Sequence, residues 1–121
     1  MSERGLVVKV TCGAEAAERY NQGFTVAATA LSAGAPVSLW LTGDATWFAV
    51  PGREPHLELP YATPVTELLE TVLAGGAVTV CTQCAARRGI EQSDLRAGVR
   101  IAGSVGFVEE CLAPNAQALV Y

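Results

Sequence analysis

Apolar runs of four or five residues alternate along this chain with segments of helical period, and that alternation leaves few folds open. Leu6-Val-Val-Lys-Val10, Val37-Ser-Leu-Trp-Leu41, Val78-Thr-Val-Cys81 and Val99-Arg-Ile-Ala102 read as strands, with Ala118 to Tyr121 as a closing strand. Runs this short and this apolar suit strands covered on both faces, which is the habit of parallel sheets. Strands separated by helices build such sheets through right-handed crossovers. The predicted fold is therefore α/β: a three-layer α/β/α sandwich with a mostly parallel sheet of about five strands, in one domain over residues 1–121.

The helical segments have readable limits. From Glu15 onward, Ala17, Tyr20, Phe24, Ala27, Ala28 and Leu31 recur at steps of three and four, and Gly34 closes the segment. Thr63 is a candidate cap for a second helix with Pro64 in its first position and an apolar face of Val65, Leu68, Leu69, Val72 and Leu73. Gly75-Gly76 stops it. Ser104 is a candidate cap for a last helix, whose Phe107, Val108, Cys111 and Leu112 are expected to face the core. Gly43 to Thr63 breaks the rhythm. Beyond one helical turn over Asp44–Val50 it holds Pro51, Pro55, Pro60 and the only histidine, His56. A loop this long, carrying Trp47, Phe48 and Tyr61, is expected at a subunit interface.

Half of the residues are hydrophobic, 17% are charged, and the net charge is −4. An acidic chain without clustered basic residues is a poor partner for nucleic acid or for an anionic membrane surface. The stretch from Phe24 to Leu41 is interrupted by Ser32, Gly34 and Pro36, so it reads as a helix followed by a strand rather than a membrane span. Met1-Ser-Glu-Arg4 leads into the first strand without a basic segment and an apolar one, so a cytoplasmic location is expected. Thiols stay reduced there, and the four cysteines read as chemistry or core filler rather than a disulfide frame.

The chemistry is concentrated in Val78-Thr-Val-Cys81-Thr-Gln-Cys84-Ala-Ala-Arg87-Arg88-Gly89. A β-branched run ends on Cys81 and a helix-compatible segment begins at once. The first N–H groups of a helix have no partners and carry partial positive charge, which favours a thiolate. A free thiol titrates near about 8.5, and helix-N-terminal thiols fall to between about 3.5 and 7.5. The competing reading of Cys81 is a small buried hydrophobe. For Cys84 three readings stand: a resolving thiol for Cys81, a zinc ligand, or packing. A single C-x-x-C beside a βαβ pattern favours the dithiol over zinc, because no second pair completes four ligands. Ligand sites of open parallel sheets lie at the carboxyl ends of the strands, where Cys12, Asp44, Cys81 and Ser104 all fall. Cys12 reads as a loop thiol, His56 as a surface or interface residue, and Asp44 as a cap for the turn after it. No phosphate-binding glycine pattern is present, and neither a cofactor nor a metal is expected.

With a cysteine ending the third strand and Arg87-Arg88-Gly89 closing the short run after it, the chain resembles the DsrE/DsrF-like family, and within it the TusD-type sulfur-relay proteins. The resemblance extends from the first strand to Tyr121. It implies a three-layer α/β fold assembled as homotrimers or homohexamers, with protein partners that donate and accept sulfur. It also implies a persulfide on Cys81, with Cys84 standing where the TusD-type pattern has alanine. A small sulfurtransferase-type carrier using Cys81 is thus expected. The rivals are a thiol–disulfide, peroxiredoxin-like protein using Cys81 and Cys84, and a non-catalytic oligomeric binding module.

Overall fold

The apolar runs pair side by side into a single sheet. In the computed structural model, which describes residues 4–121, the strands are β1 (Gly5–Val10), β2 (Val37–Leu41), β3 (Ala77–Cys81), β4 (Val99–Ala102) and β5 (Ala116–Val120). All neighbours are parallel, in the order β4-β3-β2-β1-β5. The chain therefore steps outward from β1 to β4 and then returns to add β5 on the other side of β1. Met1 to Glu3, where the absence of a targeting segment was expected, lie outside the described residues.

Helices α1 (Ala17–Ser32) and α2 (Val65–Gly75) pack together on one face, α3 (Thr82–Arg87) follows β3, and α4 (Ser104–Cys111) lies on the other face. Side-chain alternation along the strands separates the two faces. Val8, Val10, Leu39, Leu41, Val78 and Val80 point to the α1–α2 side and are almost completely buried with Phe24, Leu69 and Val72. The opposite face carries a row of in-register neighbours, Lys9, Trp40, Thr79 and Arg100. There α4 seats Gly106 over the Trp40 ring, and Phe107 meets that ring edge-on with centroids 5.3 Å apart. Glu110 of α4 accepts hydrogen bonds from Ser38 Oγ, from Trp40 Nε1 at 3.1 Å and from Arg100 Nη2 at 2.7 Å. One carboxylate thus ties the last helix to two strands, β2 and β4.

Several element limits differ from those read in the sequence. A single turn of 3-10 helix over Ala14–Ala16 precedes α1, and Gly34 takes its φ of +97° just past the end, as its position foretold. Pro64 is the N-cap of α2 with ψ 137°, so Thr63 lies outside the helix, where its carbonyl accepts a hydrogen bond from Asn21 Nδ2. Gly103 caps α4, making Ser104 its first residue. The last strand starts at Ala116 because pairing with β1 begins at Gly5.

The larger correction concerns α4. Cys111 is only half-buried, and Val108 and Leu112 are exposed, so the face assigned to the core is turned mostly outward. No described residue beyond Val99 is buried. The helical period was read correctly, but an apolar stripe does not say whether its cover lies within the same chain.

The α1–α2 core carries the stability. Leu69, with no exposed surface, has no polar partner to lose and leaves a cavity when truncated. Leu69→Ala is expected to cost about 2–5 kcal/mol. In urea unfolding this appears as a lower midpoint with an unchanged slope.

Candidate thiol site

Three segments meet at the carboxyl end of β3. Cys81 is the last residue of the strand and the N-cap of α3, with extended backbone angles of φ −65° and ψ 130°. It is the point at which ladder pairing, last made with Ala102, gives way to helical turns. The N–H groups at the start of α3 have no carbonyl one turn back to bond. No side-chain cap bond forms at Cys81, and the nearby groups that act on its thiol are the Gln83 and Cys84 N–H groups, the Cys84 thiol and Lys9. Burial pushes the Cys81 thiol up. The Cys84 N–H, the Cys84 thiol, the Gln83 N–H and the Lys9 ammonium outweigh it, and its pKa falls below the ordinary thiol value.

Cys84 sits beneath this. It is buried at 8% exposure, and its sulfur accepts a hydrogen bond from the Gly43 N–H at 3.2 Å. Gly43 has φ +54°, and a Cβ on it would stand 2.5 Å from the Thr11 carbonyl oxygen, so no other residue fits this turn without displacing it. Arg88 closes the arrangement: its guanidinium donates to the Cys84 carbonyl at 3.1 Å and pairs with Asp44 at 2.8 Å. The loop after β2 is thereby fastened onto α3 with the Cys84 sulfur between them.

The structure brings together Cys81, Cys84 and the Gly43-Asp44 turn, and separates the other candidates from them. Cys12 is buried, with its S–H directed at the Ala16 carbonyl; burial and the neighbouring Glu15 charge hold its thiol above the usual range. Cys111 is likewise raised, by burial first and then by Glu110. His56 is exposed on the loop. Asp44 makes no cap bond to the 3-10 turn Gly43–Ala49 and pairs with Arg88 instead. Arg87 is exposed, and neither it nor Arg88 is among the groups that lower the Cys81 thiol. Among the described residues, no group of three or more His, Cys, Asp or Glu side chains is gathered to hold a metal.

Lys9 was missed in the sequence. It is the cation that acts on Cys81, and its Nζ lies 4.5 Å from the Phe107 ring centroid. A lysine inside an otherwise apolar strand of a parallel sheet was the available signal, since such strands read as near-continuous hydrophobic runs. Gly43 was missed for a different reason, because its contact is with a sulfur far along the chain.

A parallel α/β sheet that ends one strand on a partly open, electrostatically favoured thiol defines a class of small cysteine-bearing α/β proteins. The DsrE/DsrF-like family model matches residues 5–115, and the chain belongs to that family. Among solved structures, the ychN protein of E. coli is similar over 98% of this chain and 99% of its own, with a TM-score of 0.81 and 21% identity. MTH1491 of Methanobacterium thermoautotrophicum, described as a protein of unknown function, covers 98% of this chain and 100% of its own at a TM-score of 0.75 and 10% identity. At these identities the likeness is one of fold. No curated protein matches the chain significantly.

Cys81, Cys12 and Cys111 should be distinguishable by their titration. The thiolate is the species that reacts with an alkylating agent, so a lowered pKa extends reactivity to lower pH and a raised one confines it to higher pH. With iodoacetamide, Cys81 is expected to be modified first as pH rises, with Cys12 and Cys111 following only at higher pH. Peptide mass mapping across a pH series reads the order. Lys9→Met should move the Cys81 midpoint upward.

Proposed function

We propose that this protein, acting as one domain in the cytoplasm, is a sulfurtransferase-type carrier that holds sulfane sulfur as a persulfide on Cys81. The observation that supports this best is that Cys81 alone combines partial exposure with a thiol lowered by its surroundings, while Cys12 and Cys111 are raised. Membership of the DsrE/DsrF-like family agrees with that use of the strand-end cysteine.

The transfer balances without a metal or an added oxidant. The Cys81 thiolate attacks the outer sulfur of a donor persulfide, a new S–S bond forms at Cys81, and the donor leaves as a thiolate. An acceptor thiolate then attacks the outer sulfur of the Cys81 persulfide and regenerates the Cys81 thiolate. Lys9 and the Gln83 and Cys84 N–H groups favour the anion both before loading and after discharge. The partners are therefore proteins that present a persulfide or a thiol.

Incubation with inorganic polysulfide followed by intact-mass measurement under non-reducing conditions tests the proposal. The wild-type chain should gain the mass of one sulfur atom, removable by cyanide, and Cys81→Ser should gain none. Equal uptake by both would overturn the carrier reading.

We further propose that the chain works as a homo-oligomer, a trimer or a hexamer, joined through the α4 face. Of the large apolar side chains exposed in the described residues, Val105, Val108, Leu112 and Val120 lie on α4 and the adjoining edge strand β5. The three helical positions follow a spacing of three and four, so they form one stripe. An apolar patch of this kind marks a protein contact rather than ordinary surface. A second copy suits it, since the patch sits at the sheet's open edge. Trp47 and Phe48, assigned to an interface from the sequence, are packed inward, leaving Leu57 and Tyr61 exposed on their loop. Light scattering should give a multiple of the 12.6 kDa chain. Val105→Asp with Leu112→Glu should reduce it to the monomer, whereas Tyr61→Ser should not.

A further inference from the structure

The persulfide reading accounts for Cys81 and leaves Cys84 without a task. Cys84 occupies the third position of α3, one turn on from the N-cap Cys81, and its thiol is among the groups that lower the Cys81 thiol. An N-cap side chain and the third helical residue are neighbours across the first turn, the same adjacency that closes a capping box. Side chains three apart have Cβ atoms roughly 5–6 Å apart on a regular helix, and closing them to the roughly 3.5–4.5 Å that a disulfide spans takes a change of backbone angles at Cys81, where the helix begins. The burial of the two is unequal. Cys81 is open enough to meet a donor, whereas Cys84 at 8% exposure is closed to one. Only a sulfur already on Cys81 can reach it.

The surroundings of Cys84 hold its sulfur in one place beside its neighbour. The Gly43 N–H is aimed at that sulfur at 3.2 Å. That donor is held by the positive φ of Gly43 and by the Arg88–Asp44 pair, whose arginine also binds the Cys84 carbonyl. Packing alone would require neither a backbone donor on the sulfur nor a fastened loop above it.

We infer that Cys84 is a resolving thiol that discharges the Cys81 persulfide as hydrosulfide, leaving a reversible Cys81–Cys84 disulfide. The inference rests on the carrier reading above. In the step, Cys84 Sγ attacks Cys81 Sγ, the Cys84–Cys81 S–S bond forms, and the bond from Cys81 Sγ to the outer sulfur breaks. The outer sulfur leaves with the bonding pair and is protonated by the hydrogen that Cys84 sheds. The sulfane sulfur gains two electrons, and each cysteine sulfur gives up one. An external reducing dithiol restores the pair by exchange. Sulfur on Cys81 thus has two exits: transfer to an acceptor thiol, or release as hydrosulfide when none is docked.

The test follows loaded protein over time without reductant. Wild-type and Cys84→Ser chains are loaded with inorganic polysulfide, freed of excess by rapid desalting, and sampled for intact mass and for released hydrosulfide. Wild type should lose the added sulfur, become lighter than the reduced chain by two hydrogens, and release one hydrosulfide per chain. Cys84→Ser should retain the sulfur and release none. Peptide mapping of wild type locates the disulfide and does not depend on how the variant folds. Retention by wild type, with no Cys81–Cys84 disulfide, overturns this inference and leaves the carrier reading standing. Failure of both chains to take up sulfur overturns the two together. A disulfide that links Cys81 to Cys12 or Cys111 instead overturns the assignment of Cys84.

Discussion

Everything at this site depends on where β3 stops. Up to Cys81 the backbone polar groups of the strand are spent on the ladders with β2 and β4. One residue later the chain turns helical, and the first N–H groups of α3 have no carbonyl to bond. A sulfur at that junction inherits them. Burial alone would make this thiol less acidic, as it does for Cys12, so the direction of the Cys81 shift comes from these dipoles, the Cys84 thiol and Lys9. The end of the sheet and the lowered pKa of this thiol thus meet at a single residue.

The molecule is unequal in its two faces, and the inequality has functional sense. The α1–α2 side is a closed aliphatic core in which Phe48 meets Tyr20 at a tilt and Phe24 edge-on. The α4 side is held largely by polar contacts, with Glu110 receiving Ser38, Trp40 and Arg100. Three polar or charged side chains in one strand row would be costly in a sealed core. Under a short helix at an open edge Lys9 and Arg100 keep contact with solvent, and the buried Thr79 hydroxyl accepts a hydrogen bond from Arg100 Nε. That face leaves Lys9 near the thiol, and it leaves the apolar stripe of α4 outward, where a neighbouring copy can cover it.

Much of the architecture could be read along the chain. The strand positions, the Gly34 and Gly75-Gly76 stops and the parallel pairing all rest on local periodicity and on backbone preferences a few residues in range. Helix starts were less legible. Pro64 and Gly103 took cap positions assigned to Thr63 and Ser104, because neither cap uses a side-chain hydrogen bond. The inward reading of Cys111 failed for a physical reason as well. A hydrophobic stripe records the period of a helix and not what covers it, and no described residue covers Val108 and Leu112.

The sequence by itself determined the α/β alternation, the junction that places Cys81 at the end of a strand and the start of a helix, and the three-residue step from it to Cys84. Those are properties of neighbours in the chain, set by dihedral preference and helical period. The tertiary structure alone decided that Lys9 rather than Arg87 or Arg88 supplies the positive charge at Cys81. It also decided that Arg88 is taken up by Asp44, and that the Gly43 N–H lands on the Cys84 sulfur. These depend on which strands lie side by side and on how a loop folds back across the sheet's end. Charge and hydrogen-bond direction act through space over a few ångströms, and spacing along the chain carries no record of that distance.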